Sequence, residues 1–258
     1  MDAAVLRVLE FKEKHGLLTP YESGNEEERI QKASETVGSP AHHETEWEIS
    51  TKALTLIKNE NVLPLNLSES IAILVPSASQ VKSGEYAVAR LKKKGILAEE
   101  ATIPVYHQSA MTVADLIKLA QETKHLIVVS ASYSAADMNP ATKNGANTAV
   151  LDLVISLAHT AGNNVTVISA HLPYDAAHFN KADAIIVAYG ARGMSEDPRG
   201  AAGSVSKYGP NVPAAIYAIL SGKPFEGKLP IDLPALDENG KFTKDILYPH
   251  GFGLVPEH

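Results

Sequence analysis

From residue 71 onward, short apolar runs rich in Ile and Val alternate with longer stretches whose apolar residues recur at helical spacing. The runs Ile71 to Pro76, Ile96 to Ile103, Leu126 to Ser130, Val165 to Ala170 and Ala184 to Ala188 read as strands. Between and after them, helices are expected at Val81 to Lys94, Val113 to Thr123, Thr148 to Ala161, Tyr174 to Asn180 and Pro210 to Leu220. Strands that are apolar on both faces and joined by helices make a mainly parallel sheet covered on each side. The expected fold class is α/β, a three-layer αβα sandwich of about five or six strands. In such sheets ligands approach the carboxyl ends of the strands, which puts the functional search in the loops beginning near Pro76, Ala131, His171 and Tyr189.

Before residue 71 the pattern is different. Val5, Leu6, Val8, Leu9 and Phe11 fall near helical spacing, and Gly16 stands where that first helix would stop. From Leu18 to about Trp47 the composition turns to Glu, Lys, Ser, Gly and Pro, a linker with a second helix over Glu26 to Val37. A third helix, Glu46 to Lys58, leads into an irregular segment, Asn59 to Leu65, closed by Pro64. At the other end, Phe225 to His258 is rich in Pro and Gly and is expected to wrap the sheet and add one edge strand.

Composition narrows the function classes. With 45% hydrophobic residues over 258, the chain can bury a sizeable core. Its 23 basic against 30 acidic residues give a net charge of -7, which disfavours a nucleic-acid partner. The lack of cysteine removes disulfides, thiolate nucleophiles and Cys-ligated zinc. No segment approaches the ~20 apolar residues of a membrane span, and no signal peptide pattern is visible.

The residues after the first parallel strand, Pro76-Ser77-Ala78-Ser79-Gln80, contain neither glycine fingerprint that cradles phosphate, and no G-x-S-x-G elbow exists. No cofactor is implied. His42-His43-Glu44 with Glu46 is the densest metal-like cluster, but adjacent residues point apart, so a solvated linker explains it better. His171 and His178, with Asp175 between them, lie at a strand end; helix capping or loop bracing is favoured there over catalysis. Glycoside hydrolysis needs two carboxyl groups flanking the scissile bond, and Asp137, Asp175, Glu196 and Asp197 all fall at the ligand edge. None has an adjacent activating group in the sequence that would raise a pair above loop solvation.

Three stretches go beyond composition: ALTLIKNENVLPL at 53–65, LPYDAAHF at 172–179, and GKLPIDLP at 227–234 followed by YPHGFGL at 248–254. In this order they resemble the C-terminal αβα-sandwich domain of family 3 glycoside hydrolases, nearest to the two-domain bacterial β-N-acetylglucosaminidases of the NagZ type. The resemblance covers nearly the whole chain. It makes residues 1–65 the last helix of a barrel plus an interdomain linker and lead-in helix, and 66–258 the sandwich. It implies that the chemistry resides mainly in an N-terminal (β/α)8 barrel, with an aspartate nucleophile and a His-Asp acid/base on a mobile loop. The barrel's Lys-His-Phe and Asp-Ser-His signatures are missing here, and the Lys14-His15 and Lys124-His125 pairs do not replace them. No catalytic residue can therefore be assigned, and the isolated chain is expected to be inactive.

The expected partners are a catalytic barrel, attached or separate, and a GlcNAc-containing carbohydrate. The loops Ala131 to Asn147 and Gly190 to Gly209 could wall the sugar site or dock on the barrel. Asp137, Asn139, Lys143, Asn144, His171, Asp175, Arg192, Glu196, Asp197 and Arg199 are the candidate substrate- or barrel-facing residues, set against ordinary loop solvation. Two other functions stay open: a free-standing carbohydrate- or protein-binding domain, and an independent enzyme using Asp175 with His171 or His178. Localisation is not fixed by these residues, although the resemblance points to an extracytoplasmic bacterial protein.

Overall fold

A computed structural model describes residues 2–19, 25–139, 146–194 and 208–255. They divide into two compact units, Met1–His42 and His43–His258. In the first, α1 (Asp2–Lys14) gives way to Gly16, which takes the left-handed φ of 67° that ends helices. Val5, Leu6, Val8, Leu9 and Phe11 on this helix remain between 44% and 60% exposed. α2 (Glu26–Thr36) starts at Asn25, whose side chain accepts the Glu27 N–H at 3.0 Å, and three first-turn glutamates complement the helix dipole.

The second unit begins within α3 (Pro40–Ala53) and is built on a six-stranded sheet. In chain order the strands are β1 (Thr55–Asn59), β2 (Ile71–Val75), β3 (Val105–His107), β4 (His125–Ser130), β5 (Asn164–Ser169) and β6 (Ala184–Val187). They lie in the order β1-β6-β5-β4-β2-β3, all parallel except β1, which runs antiparallel to β6. The helices joining them are α4 (Ala78–Lys93), α5 (Val113–Glu122), α6 (Ala135–Met138) and α7 (Ala146–Thr160), with α8 (Asn211–Ser221) following β6.

Alternation along each strand sorts the core into two layers. Ile71, Ile73 and Val75 share a cluster with Trp47 of α3, Leu91 of α4 and Ile216 of α8. Ala72 and Leu74 share the other with Leu116 of α5 and Leu151 and Ile155 of α7. The result is an αβα sandwich, as the apolar runs imply.

Four local expectations are corrected. The helix drawn to Lys58 stops at Ala53, and Thr55–Asn59 is a strand: Thr55 and Ile57 are β-branched, and the Thr55 hydroxyl lies 2.8 Å from the Tyr189 phenol across the pair with β6. The apolar run Ile96 to Ile103 is not a strand. Gly95 at φ 68° turns the chain back, so that Ile96 N–H reaches Leu91 O at 3.0 Å and Leu97 is buried against α4's end. The strand comes later, at Val105–His107. Tyr174 to Asn180 is a 3-10 helix, Pro173–Phe179. Finally, the tail adds no strand to the main sheet's edge, which β1 occupies; it folds into a separate antiparallel pair, β7 (Leu233–Leu236) and β8 (Phe242–Tyr248), and meets β1 through one bridge, Leu56 to Leu254.

Candidate functional site

The chain leaves β2 through α4 to one side, forming β3, and then crosses through α5 to the other side, forming β4. The carboxyl ends of β2 and β4 therefore diverge, and adjacent connections that part in this way open a crevice. A cleft of about 280 Å³ occupies that position. Its walls are Pro76 to Gln80 at the start of α4, Ser130 to Tyr133 after β4, and Asn147 and Thr148 at the start of α7. Gln108, just past β3, and Ala191, past β6, also face it.

Polar anchors hold this shape. Buried Gln80 donates through Nε2 to Ala191 O, tying the loop after β6 to α4, and accepts the Ser83 hydroxyl at 3.0 Å. Gly193 passes so close to α4 that a Cβ there would stand 2.5 Å from Ser79 O. Across the cleft, Asp137 accepts Tyr133 N–H at 3.1 Å and the Ser134 hydroxyl at 3.0 Å, while its carbonyl takes the Thr148 hydroxyl at 2.8 Å. The chain after β4 is thereby fastened to α7. Gln108 is 9% exposed, and its Oε1 is buried with no hydrogen-bond partner among the described residues.

Beneath the cleft lies Asp175, fully buried in the 3-10 helix after β5. Its carboxyl accepts the Ser130 hydroxyl at 2.8 Å, the Ser169 hydroxyl, and both the hydroxyl and N–H of Ser132. Burial raises its pKa above the usual carboxyl range and outweighs the serine donors, which lower it. Asp175 thus joins the ends of β4 and β5 and makes no cap on its own helix. Its partners are serines rather than His171 or His178. The His171 ring lies 4.6 Å from that of Tyr133, and the His178 ring lies 5.8 Å from Phe242 of β8, where burial lowers its pKa.

Of the other candidates, Asp137 lines the cleft, Asn139 ends α6 as its C-cap, and Arg192 is exposed on the loop after β6. Lys143, Asn144, Glu196, Asp197 and Arg199 lie outside the described residues. Elsewhere, His125 is buried at the start of β4 with Nε2 2.6 Å from Glu69, and His43 pairs with Glu46 at 2.9 Å. No group of three or more metal-ligating side chains exists among the described residues, and no described helix is long and apolar enough to cross a membrane. Gln108, Ser130 and Ser132 escape a sequence reading. The serines of Val-Ser-Ala-Ser at the end of β4 were the available signal, since small hydroxyl residues at a strand's carboxyl end face the ligand edge.

A three-layer sandwich with its cleft at a topological switch point defines an α/β ligand-edge protein. The particular family follows from comparison: residues 54–255 match the glycosyl hydrolase family 3 C-terminal domain, and the chain belongs to that family. Beta-hexosaminidase A of Pseudoalteromonas piscicida is 23% identical over an alignment of 210 residues that covers 77% of this chain and 34% of that protein. The chain therefore spans about a third of that relative's length. Among solved structures, a family 3 β-N-acetylglucosaminidase from Paenibacillus sp. str. FPU-7 aligns at TM-score 0.51 and 15% identity, covering 88% of this chain and 38% of that one. A β-glucosidase involved in saponin metabolism from intestinal bacteria aligns at 0.59 and 14%, covering 98% and 42%. At such identities the structural matches establish the fold.

Proposed function

We propose that this chain is the sandwich portion of a two-domain glycosidase that removes terminal β-linked N-acetylglucosamine from cell-wall fragments, packing on and completing a (β/α)8 barrel that carries the reacting groups. One observation carries the reading: among the described residues the cleft presents a single carboxyl group, Asp137, while Asp175 is sealed beneath it on three serines. Glycosidic cleavage generally uses two carboxyl groups about 5 to 9.5 Å apart across the bond. A second domain supplies what this arrangement lacks. The exposed apolar residues of α1 suit the last helix of that barrel, and residues 131–139 and 190–194, which follow β4 and β6 at the sheet's carboxyl edge, would help wall the sugar site. The choice of N-acetylglucosamine rests on the hexosaminidase relative and the Paenibacillus structure; β-glucosidases share the fold.

The test is hydrolysis of an aryl β-N-acetylglucosaminide by this chain alone and with the barrel domain of the Paenibacillus enzyme added or fused. The expected result is no turnover alone and turnover on combination, exceeding that of the barrel by itself. Cleavage by the chain alone overturns the reading. An aryl β-glucoside run in parallel separates the two sugars.

A further inference from the structure

The loop between β7 and β8 carries an Asn-Gly pair, Asn239-Gly240, at the tip of the hairpin. We propose that Asn239 is a site of spontaneous modification, converted by water to aspartate and isoaspartate through a ring closed by Gly240 N, at a rate that the closed turn holds down. The step balances without any oxidant or reductant. Gly240 N gives up its proton and bonds to Asn239 Cγ, the Cγ–Nδ2 bond breaks, and Nδ2 leaves as ammonia. Water then opens the cyclic imide at either carbonyl, giving aspartate or isoaspartate.

The chemistry needs water, a side-chain amide and an unshielded nitrogen on the next residue. Asp237, Glu238 and Asn239 are all exposed, and Gly240 has no Cβ to keep its nitrogen from a close approach. Against this stands the way the loop is built. Asp237 N–H donates to Lys241 O at 2.8 Å, and Gly240 N–H donates to Asp237 O at 3.0 Å, enclosing Glu238 and Asn239. Gly240 then takes φ 71°, which makes the type I turn with a left-handed glycine of a three-residue hairpin loop. The Asp237 side chain locks the turn: its Oδ1 accepts Asn239 N–H and Lys241 N–H, each at 2.9 Å. The attacking nitrogen thus has its hydrogen engaged on Asp237 O, and the ring closes only when the turn opens. Once formed, either product sets a third carboxylate beside Asp237 and Glu238, and isoaspartate also adds a backbone atom to the loop. The loop leads directly into Phe242, whose ring lies 6.0 Å from that of Tyr174 and 5.8 Å from that of His178. Modification therefore loosens a hairpin that packs on the 3-10 helix holding Asp175.

The experiment is incubation of the full chain in mildly alkaline buffer, folded and in guanidinium, followed by tryptic peptide mapping. Trypsin releases residues 229–241 as a peptide whose only asparagine is Asn239. In guanidinium this peptide is expected to gain the mass of an amide-to-acid exchange and to split into aspartate and isoaspartate forms. In the folded chain the same change should run at least about tenfold more slowly. Asp237→Ala, which removes the lock, should raise the folded rate about tenfold, the effect of one lost hydrogen bond to a charged group. Its folding is checked by its melting curve; should it fail to fold, the ratio of folded to unfolded rates in the parent decides. Gly240→Ala, read in guanidinium, should slow the reaction, because its Cβ crowds the attacking nitrogen. An unmodified peptide in guanidinium, a product of aspartate alone, equal rates in the folded and unfolded parent, or a folded Asp237→Ala no faster than the parent overturns the proposal.

Discussion

Asp175 shows two opposed forces acting on one side chain. Four donors favour its ionised form, while complete burial favours the neutral one, and burial prevails. The folded protein therefore keeps a proton at pH values where the unfolded chain has released it. Because the native state then binds more protons, stability falls as pH rises from the ordinary carboxyl range through the raised folded value. Asp175→Asn removes this titration. Its melting temperature should vary less with pH than the parent's above the ordinary carboxyl range, with the difference moving in the variant's favour as pH rises. Asp175→Ala leaves three serine hydroxyls without their acceptor and should cost roughly 2 to 4 kcal/mol. Thermal denaturation followed by the fluorescence of Trp47, the chain's one tryptophan, checks both. A variant with the parent's pH slope would show that Asp175 is ionised in the folded state. The sequence showed an aspartate at a strand-to-helix turn, where capping is the ordinary role. Its actual role depends on the parallel register that sets Ser130 opposite Ser169, a relation between residues 39 positions apart that no local pattern records.

At the scale of elements, legibility followed burial. β2, β4, β5 and β6 are buried on both faces and carry runs of Ile, Leu and Val that stood out; β3 is three residues long and partly exposed, too short to show any period. β1 was hidden because Ala53 to Ile57 continues a helix-compatible stretch, and only its partners make it a strand. Those partners also explain the glycines of the recognisable motifs. Gly227 N–H bonds Leu54 O at 3.0 Å, Leu254 N–H bonds Leu56 O at 2.7 Å, and Gly253 packs against Gly227. A Cβ on Gly227 would stand 2.6 Å from both Leu54 O and the Thr55 hydroxyl and would also strike Ala53 O. Rigid backbone cannot yield as a flexible side chain does, so Gly227→Ala should lose about 3 kcal/mol, the upper end of overpacking. For a domain of this size that lowers the melting temperature by roughly 6 to 12 °C. Gly162→Ala serves as the contrast: its φ of 74° is strained for alanine, but nothing lies within 4 Å of the added carbon. Its loss should be the smaller, about 1 kcal/mol, and equal losses at the two sites would remove close packing as the reason for Gly227.

For the whole molecule, the sandwich and the proposed docking helix place separable demands on the chain. The core residues of the sandwich lie within 47–233, whereas Val5, Leu6, Val8, Leu9 and Phe11 of α1 leave large apolar side chains in water. Exposed apolar groups gathered on one helix mark an interaction surface when they are contiguous, and interdomain interfaces bury about 600 to 1,500 Å². If α1 docks as the last helix of a barrel, charging its surface should affect assembly and leave the sandwich intact. The double variant Leu6→Lys, Leu9→Lys is therefore expected to keep the Trp47 melting transition within about 1 °C, as surface substitutions generally do. The same variant should bind less of an apolar fluorescent dye and associate with the added barrel at least about tenfold more weakly, a loss of about 1.4 kcal/mol. Activity in the barrel mixture should fall in proportion at limiting concentration and recover when the barrel is supplied in excess, because the lysines weaken docking and leave the sugar site untouched. Unchanged barrel affinity in a variant that still folds would remove α1 from the interface and leave the loops at the sheet's carboxyl edge as the docking surface.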